Sequence, residues 1–207
     1  DALRGFLTGS IIWADKYRLF LATGGEINVV AIYLSLIPCV IAYNYFFVVE
    51  ADRVNASIQH LWTIFDRLPY KGVQEESSKA LRTSNHAIRN SLMIYIASAI
   101  VTGILMYIFL PQSYPLALSG LVVAFLFVAV ALLIYQIEYM TMYVTVQLLS
   151  AAHLVLLFIS FMILPNETGY LPIIAGEAVL AFACYRVYRQ AWAAPEYSLF
   201  WRRALAW

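Results

Sequence analysis

The feature that most constrains this chain is the stretch from residue 90 to residue 185, which contains no Lys, Arg or Asp. Its ordinary ionisable side chains are His153, Glu138, Glu167 and Glu177. A helix that faces water needs a polar face, and so long a run rich in Ile, Leu, Val, Phe and Tyr does not supply one. The whole chain is only 12% charged, against roughly 25% in soluble domains. We therefore predict an all-α fold, a polytopic helical membrane bundle.

Five apolar segments are each long enough to cross a hydrocarbon core of roughly 30 Å. The first, span A, covers residues 27–49, and the other four form a bundle within residues 91–186. Pro-rich turn signals at 111–115 and 165–169 help to separate them. In chain order we predict span B at 91–110, span C at 116 to about 135, span D at about 139 to 164 and span E at 170 to about 186.

Residues 1–26 precede the first span and have a mixed character. Apolar pairs alternate with charged residues, and the segment ends in glycines; the charges are Arg4, Asp15, Lys16 and Arg18. This pattern favours an interfacial amphipathic helix. A short transmembrane or re-entrant segment is the alternative.

The remaining charge is concentrated in two segments, and its distribution predicts the topology. Residues 50–90 place apolar side chains at helical spacing before a Pro-Gly break, which predicts a helical hairpin. Residues 187–207 form a basic, aromatic tail. With the predicted spans, both segments lie on one side of the bilayer, and the positive-inside rule makes that side cytoplasmic. The hairpin cations are Arg53, Arg67, Lys71, Lys79, Arg82 and Arg89. We expect an integral, multi-pass membrane protein with the hairpin and the C-terminus in the cytoplasm.

Glu138 is the first candidate functional residue. It lies between spans C and D, in a sequence without Gly, Pro or a cation to mark a loop. Ionisable groups at membrane depth are costly and usually face a cavity or the interior of the bundle. Glu138 is therefore either an acid on an ion path or a marker of the turn at the membrane interface.

Span D carries a second candidate site. Tyr139, Tyr143, Gln147 and Ser150 recur at helical spacing, which predicts a polar stripe on one face. His153 lies near the middle of the same span. The stripe and His153 would suit a proton relay or a cation path, since imidazole changes charge near neutral pH. The alternative is a structural role in which these groups hydrogen-bond to neighbouring helices.

Glu177 lies about two turns into span E, too deep for a lipid-facing position. Pairing with Tyr or Ser of another span is one interpretation. If Glu177 instead faces the stripe of span D, it completes an acid–imidazole pair within the bundle. Both interpretations keep the carboxyl group away from lipid.

One resemblance concerns a cofactor. His86-Ala87-Ile88-Arg89, followed by Thr102-Gly103, is similar to the helix that enters the membrane in cytochrome b-type subunits. That resemblance implies haem ligation by membrane histidines. The chain has only His60, His86 and His153, so a bis-histidine site would need ligands from opposite ends of the fold or from another subunit. A haem or pigment on His153 is the resulting hypothesis, although no residue pattern indicates a cofactor directly.

Other common chemistries have no sequence signature here. There is no phosphate-binding Gly loop and no Cys/His cluster with metal spacing. Cys39 and Cys184 both lie in apolar runs, where a thiol behaves as a small buried hydrophobe. We predict no metal site and assign no catalytic residue.

These observations favour an oligomeric channel or transporter for an ion or small solute, because five spans are few for a complete transporter. The alternative is an accessory or scaffolding subunit of a larger membrane complex, whether redox, pigment-binding or energy-transducing. A membrane enzyme is a third interpretation. The expected partners are the lipid bilayer and either further copies of the chain or other membrane subunits. The net charge of +1 provides no basic field for nucleic acid.

Overall fold

The structure, a computed structural model, describes residues 2–24, 28–65, 67–164 and 169–205. All secondary structure within these ranges is helical. The helices are α1 (Ala2–Ser10), α2 (Ala14–Ala22), α3 (Val29–Tyr45), α4 (Ala51–Ile64), α5 (Tyr70–Phe109), α6 (Tyr114–Tyr139), α7 (Tyr143–Ile163), α8 (Tyr170–Ala191) and α9 (Pro195–Leu205).

Five of the described helical segments are long and apolar enough to cross a bilayer. They are the continuous segment Val29–Ile64, which joins α3 to α4, and the four helices α5 to α8. Helix α5 has 40 residues and is therefore about 60 Å long, twice the thickness of a hydrocarbon core. Its first half belongs to the hydrophilic segment of residues 50–90. The prediction of an all-α fold with five long apolar helices is confirmed.

Short polar contacts show that successive helices run up and down between two ends of the bundle. At one end, Asn90 of α5 donates to Glu50, the residue just before α4, with Nδ2 and Oε1 3.0 Å apart. We call this the hairpin end, because α4 and the first half of α5 pack together beside it. At the opposite end, Asn28 Nδ2 donates to Ser113 Oγ over 2.6 Å, which joins the start of α3 to the start of α6.

The boundary between spans C and D differs from the sequence-based prediction. Span D was expected to begin at about residue 139, but α6 continues through Tyr139 and α7 begins at Tyr143. Thr141 between them has φ of 56°, a left-handed conformation that a helix cannot contain. The turn is therefore made by a non-glycine residue, which no local pattern had indicated. The predicted turn at 165–168 lies outside the described residues.

The N-terminal segment forms two short helices that lie along α7. Helix α1 ends where the Ser10 hydroxyl donates to the Phe6 carbonyl over 2.7 Å, an interaction that competes with continued helix. Ile11 and Leu19 are buried, so this segment contributes to the core. Residues 25–27, where the predicted interfacial segment ends, lie outside the described residues.

The two short helices approach opposite ends of the bundle. Helix α1 borders a cavity that is also lined by Glu138 at the hairpin end. In α2, the Arg18 guanidinium lies 4.4 Å from the Phe158 ring centroid on the second half of α7. Asp15 accepts a hydrogen bond from Tyr170, the first residue of α8. The segment therefore runs lengthwise beside α7.

Helix α6 is the centre of the bundle and packs against α3, α5 and α8. Gly120 allows α3 to approach it closely. A Cβ atom added at Gly120 would lie 2.5 Å from Ser35 Oγ and 3.0 Å from Ser35 Cβ. Ser35 is itself fixed, because its hydroxyl donates to the Ile32 carbonyl over 2.7 Å. Small residues commonly permit such contacts between membrane helices.

We expect Gly120→Ala to destabilise the protein by about 1–3 kcal/mol, because the new methyl group must displace α3 from α6. Gly103→Ala is the matched control. Its Cβ would lie 3.6 Å from Leu121 Cδ1, an ordinary contact, and alanine favours a helix over glycine by up to about 1 kcal/mol. Thermal unfolding of the purified protein in detergent measures both effects, and equal melting temperatures for the two variants would contradict this packing.

Candidate functional site

A histidine and a glutamate meet in the middle of the apolar bundle. His153 lies at the midpoint of α7, and Glu177 lies about two turns into α8. Their side chains approach to 2.8 Å between Nδ1 and Oε1, and neither has any exposed surface. The sequence had identified both residues as candidates, and the structure brings them together as an acid–imidazole pair.

A second charged pair reaches the same region from the N-terminal segment. Asp15 and Lys16 stand in the first turn of α2, with Lys16 Nζ 2.6 Å from Asp15 Oδ2. Only 1% of the Asp15 side chain and 10% of the Lys16 side chain are exposed. Tyr170 donates a further hydrogen bond to Asp15 Oδ2 over 3.3 Å. An acid at a helix N-terminus is also favoured by the helix dipole.

One aromatic ring of α6 lies between the two pairs. The Phe127 ring meets the His153 ring edge-on, with centroids 4.8 Å apart and an interplanar angle of 83°. Lys16 Nζ lies 5.3 Å from the centroid of the same ring, within the range of a cation–π interaction. We call these five residues, Asp15, Lys16, Phe127, His153 and Glu177, the central cluster.

Several polar atoms in and beside the central cluster have no hydrogen-bond partner among the described residues. They are Asp15 Oδ1, Ser150 Oγ, His153 Nε2 and Glu177 Oε2. An unsatisfied buried polar group costs roughly 1–3 kcal/mol. Purely structural polar networks avoid this cost by pairing every member. The unpaired atoms therefore mark positions where a proton, a water molecule or a solute would gain hydrogen bonds.

The charge balance of the central cluster changes with a single proton. With Asp15 and Glu177 ionised and Lys16 protonated, the cluster carries one net negative charge when His153 is neutral. Protonation of His153 at Nε2 brings the sum to zero, while Nδ1–H continues to donate to Glu177. Net charge is costly in a low-dielectric interior. The cluster is thus chemically suited to bind one proton or an equivalent cation.

The predicted polar stripe is divided between two helices. Tyr139 belongs to α6, where its hydroxyl lies 3.4 Å from both the Ala51 carbonyl and the Tyr135 hydroxyl. Tyr143 is exposed and Gln147 is half-buried, whereas Ser150 is buried on the same face of α7 as His153. The turn at Thr141 causes this separation. Of the stripe residues, only Ser150 accompanies His153 into the interior.

Glu138 lies in the last turn of α6 and is half-buried. It lines a cavity of about 280 Å³ at the hairpin end, together with residues of α1 and α3. Glu138 and the central cluster therefore occupy different levels of the bundle. The structure places them as two separate polar regions.

Sequence reasoning did not include Asp15 and Lys16 in the site. The sequence does contain a pattern that could have identified them, since two opposite charges are adjacent in a segment otherwise rich in apolar residues. Without tertiary contacts that pattern also fits an amphipathic surface helix. The Phe127 ring packs against the His153 imidazole, and no group of three or more His, Cys, Asp or Glu that could hold a metal ion occurs among the described residues.

Replacing one member of the His153–Glu177 pair should destabilise the protein more than replacing both. We expect His153→Leu and Glu177→Leu each to destabilise the protein by about 3–5 kcal/mol, because each leaves a buried partner without compensation. The double variant should cost far less than the sum of the two. Unfolding in detergent supplies this double-mutant cycle, and the exposed His86→Leu should stay within roughly 0.5 kcal/mol of the parent. Additive losses would contradict a direct interaction.

Comparison with known proteins gives no relative from which a role for these residues could be transferred. The sequence matches no protein-family model, and neither curated proteins nor solved structures yield a match.

Proposed function

We propose that this chain is an integral, multi-pass membrane transport protein in which the central cluster binds a proton whose binding is linked to passage of an ion or small solute. The observation that supports this most directly is the burial of two charged pairs beside one ring, Phe127: His153–Glu177 within two apolar helices and Asp15–Lys16 at the start of α2. Ionisable groups at that depth commonly serve proton relays and solute pathways.

A purely structural role explains the cluster less well. The chain contains a buried network of the structural kind near the hairpin end, where Ser84 Oγ lies 2.9 Å from Gln136 Oε1 and from the Tyr188 hydroxyl. Trp192 Nε1 donates to the Gln136 carbonyl over 3.0 Å. That network joins three helices through neutral groups. One atom of that network, Gln136 Nε2, also has no hydrogen-bond partner. The central cluster differs in containing charged groups and in leaving several atoms unpaired, which is costly unless they bind something.

The path of the N-terminal segment supports the same proposal. Helices α1 and α2 run beside α7 from the hairpin end to the opposite end, with a break before Asp15. In the bilayer this segment would be a sixth, interrupted crossing. Interrupted helices at membrane depth are tolerated where they line a cavity or a binding site, and transporters place substrate and ion sites at such breaks.

A sixth crossing by the N-terminal segment also gives a topology that agrees with the positive-inside rule. Six crossings would place the N-terminus, the hairpin and the C-terminus on the same side. Under the positive-inside rule that side is the cytoplasm, because it carries the hairpin cations and the basic tail. The assembly we propose is an oligomer in the lipid bilayer, and its mass in detergent distinguishes it from a subunit of a larger complex.

Proton flux tests the role of the central cluster. We expect proteoliposomes loaded with a pH-sensitive dye to show protein-dependent proton flux under an imposed membrane potential, and His153→Gln to reduce it at least tenfold. The reason is that glutamine cannot accept the proton at Nε2. His86→Gln, the same substitution at an exposed position, should leave the flux unchanged. Equal flux in the His153→Gln variant and the parent would remove the cluster from the pathway.

Cysteine labelling tests the topology. Both native cysteines are buried, so a membrane-impermeant maleimide should label mainly introduced thiols. We expect Ala2→Cys and Ser78→Cys to react from the same side of the membrane, and Gln112→Cys from the other. All three positions are exposed. Labelling of Ala2→Cys from the Gln112 side would show that the N-terminal segment does not cross.

A further inference from the structure

The cavity at the hairpin end is partly open and is bordered by three helices. Its volume is about 280 Å³, close to the lower end of the range for small-molecule sites, roughly 300–1,000 Å³. It lies between α1, α3 and α6. Its principal lining residues are Gly5 and Gly9 of α1, Tyr43 of α3, Phe47 of the helical turn between α3 and α4, and Tyr135 and Glu138 of α6.

Three of these residues form inclined aromatic walls. The rings of Tyr43 and Phe47 have centroids 4.6 Å apart and planes at 58°, and those of Phe47 and Tyr135 are 5.0 Å apart at 75°. All three side chains are only partly buried, so each retains surface that faces space. Because the planes are not parallel, the rings border the cavity from different directions.

Glu138 adds a carboxylate to these aromatic walls. Ring faces attract a cation within about 6 Å of their centroids, and a carboxylate compensates its charge. Aromatic rings with a nearby acid form the characteristic environment for alkylated ammonium groups. The apolar part of the lining, which includes Ala131 and Ile134, matches the alkyl substituents of such a cation.

The wall supplied by α1 provides room for the ligand. Gly5 and Gly9 are one helical turn apart and both line the cavity. A Cβ atom added at either glycine would meet nothing within 4 Å. The glycines therefore leave open space beside α1 where larger side chains would extend into it.

We propose that this cavity binds a small alkylated ammonium cation, held by the faces of Tyr43, Phe47 and Tyr135 and by the charge of Glu138. As the solute of the transport cycle, this cation rests on the proposed function, but its binding can be measured independently. A small inorganic cation fits less well, because it is strongly hydrated and needs several oxygen ligands. An alkylated ammonium loses its water more easily and prefers aromatic faces.

Binding of choline and of its neutral isostere 3,3-dimethyl-1-butanol tests the proposal. The two molecules have nearly the same shape and differ in charge. In isothermal titration of the detergent-solubilised protein, we expect choline to bind at least tenfold more tightly than the neutral alcohol. Equal affinities would show an apolar cavity without cation recognition and would overturn the proposal, as would an absence of choline binding.

Variants assign the binding to the cavity. Glu138→Gln and Tyr135→Leu should each weaken choline binding at least tenfold, whereas Tyr135→Phe, which keeps the ring, should remain within about threefold. Tyr33→Leu is the matched control, since Tyr33 is an exposed tyrosine of α3 outside the cavity. Gly9→Leu should also weaken binding, because its side chain fills the space without altering the rings or the acid. Unchanged binding in Glu138→Gln, in a protein that melts like the parent, would overturn the assignment.

The same measurements separate this inference from the proposed transport function. His86→Gln, at an exposed position outside the cavity and the central cluster, should bind choline like the parent. Choline binding without any proton flux would retain the cavity and reject the transport cycle. Proton flux that depends on His153, without choline binding, would retain the transport function and reject the cavity as a cation site.

Discussion

The burial of ionisable groups in an apolar interior is the constraint on which the rest of this structure depends. Removing a charge from water costs several kcal/mol even after the surroundings relax. His153 and Glu177 reduce that cost by meeting at 2.8 Å, and this contact fixes the rotation of α7 against α8. Asp15 and Lys16 impose a similar requirement on α2, since Lys16 must lie over the Phe127 ring while Asp15 meets Lys16 and Tyr170. The helices are therefore arranged around these charges as well as around their apolar faces.

The neutral hydrogen-bond network near the hairpin end fixes the ends of the helices, as the charged pairs fix their middle. Ser84, Gln136 and Tyr188 connect α5, α6 and α8 through short hydrogen bonds, and Trp192 extends the network to the end of α8. Such contacts hold the helix ends in one arrangement at any ordinary pH, because none of their members needs to change charge. In the proposed role, a proton that binds to or leaves His153 would act on the middle of helices whose ends are fixed. Proton binding should consequently shift the N-terminal segment more readily than it shifts α6 or α8.

Much of the fold followed from the sequence, because the absence of Lys, Arg and Asp between residues 90 and 185 leaves few alternatives to apolar helices. His153 and Glu177 also emerged as candidates, since ionisable residues in such a stretch are conspicuous. The turn at Thr141 was not predictable, because a threonine with positive φ carries no local signal. It moved Tyr139 to another helix and divided the predicted stripe. Asp15 and Lys16 were missed for a related reason: only their tertiary contacts distinguish them from the polar face of a surface helix.

The N-terminal segment connects both polar regions, and this has a mechanistic consequence. Helix α1 contributes Gly5 and Gly9 to the aromatic cavity, while α2 contributes Asp15 and Lys16 to the central cluster. The two helices are joined by a turn of only three residues, 11–13. In the proposed proton-binding role, loss of the His153 proton would remove one positive charge from the central cluster, to which Lys16 belongs. Any resulting shift of α2 would reach the cavity through α1. A ligand and a proton bound at different depths can influence one another in this way, because each favours a particular position of the same segment.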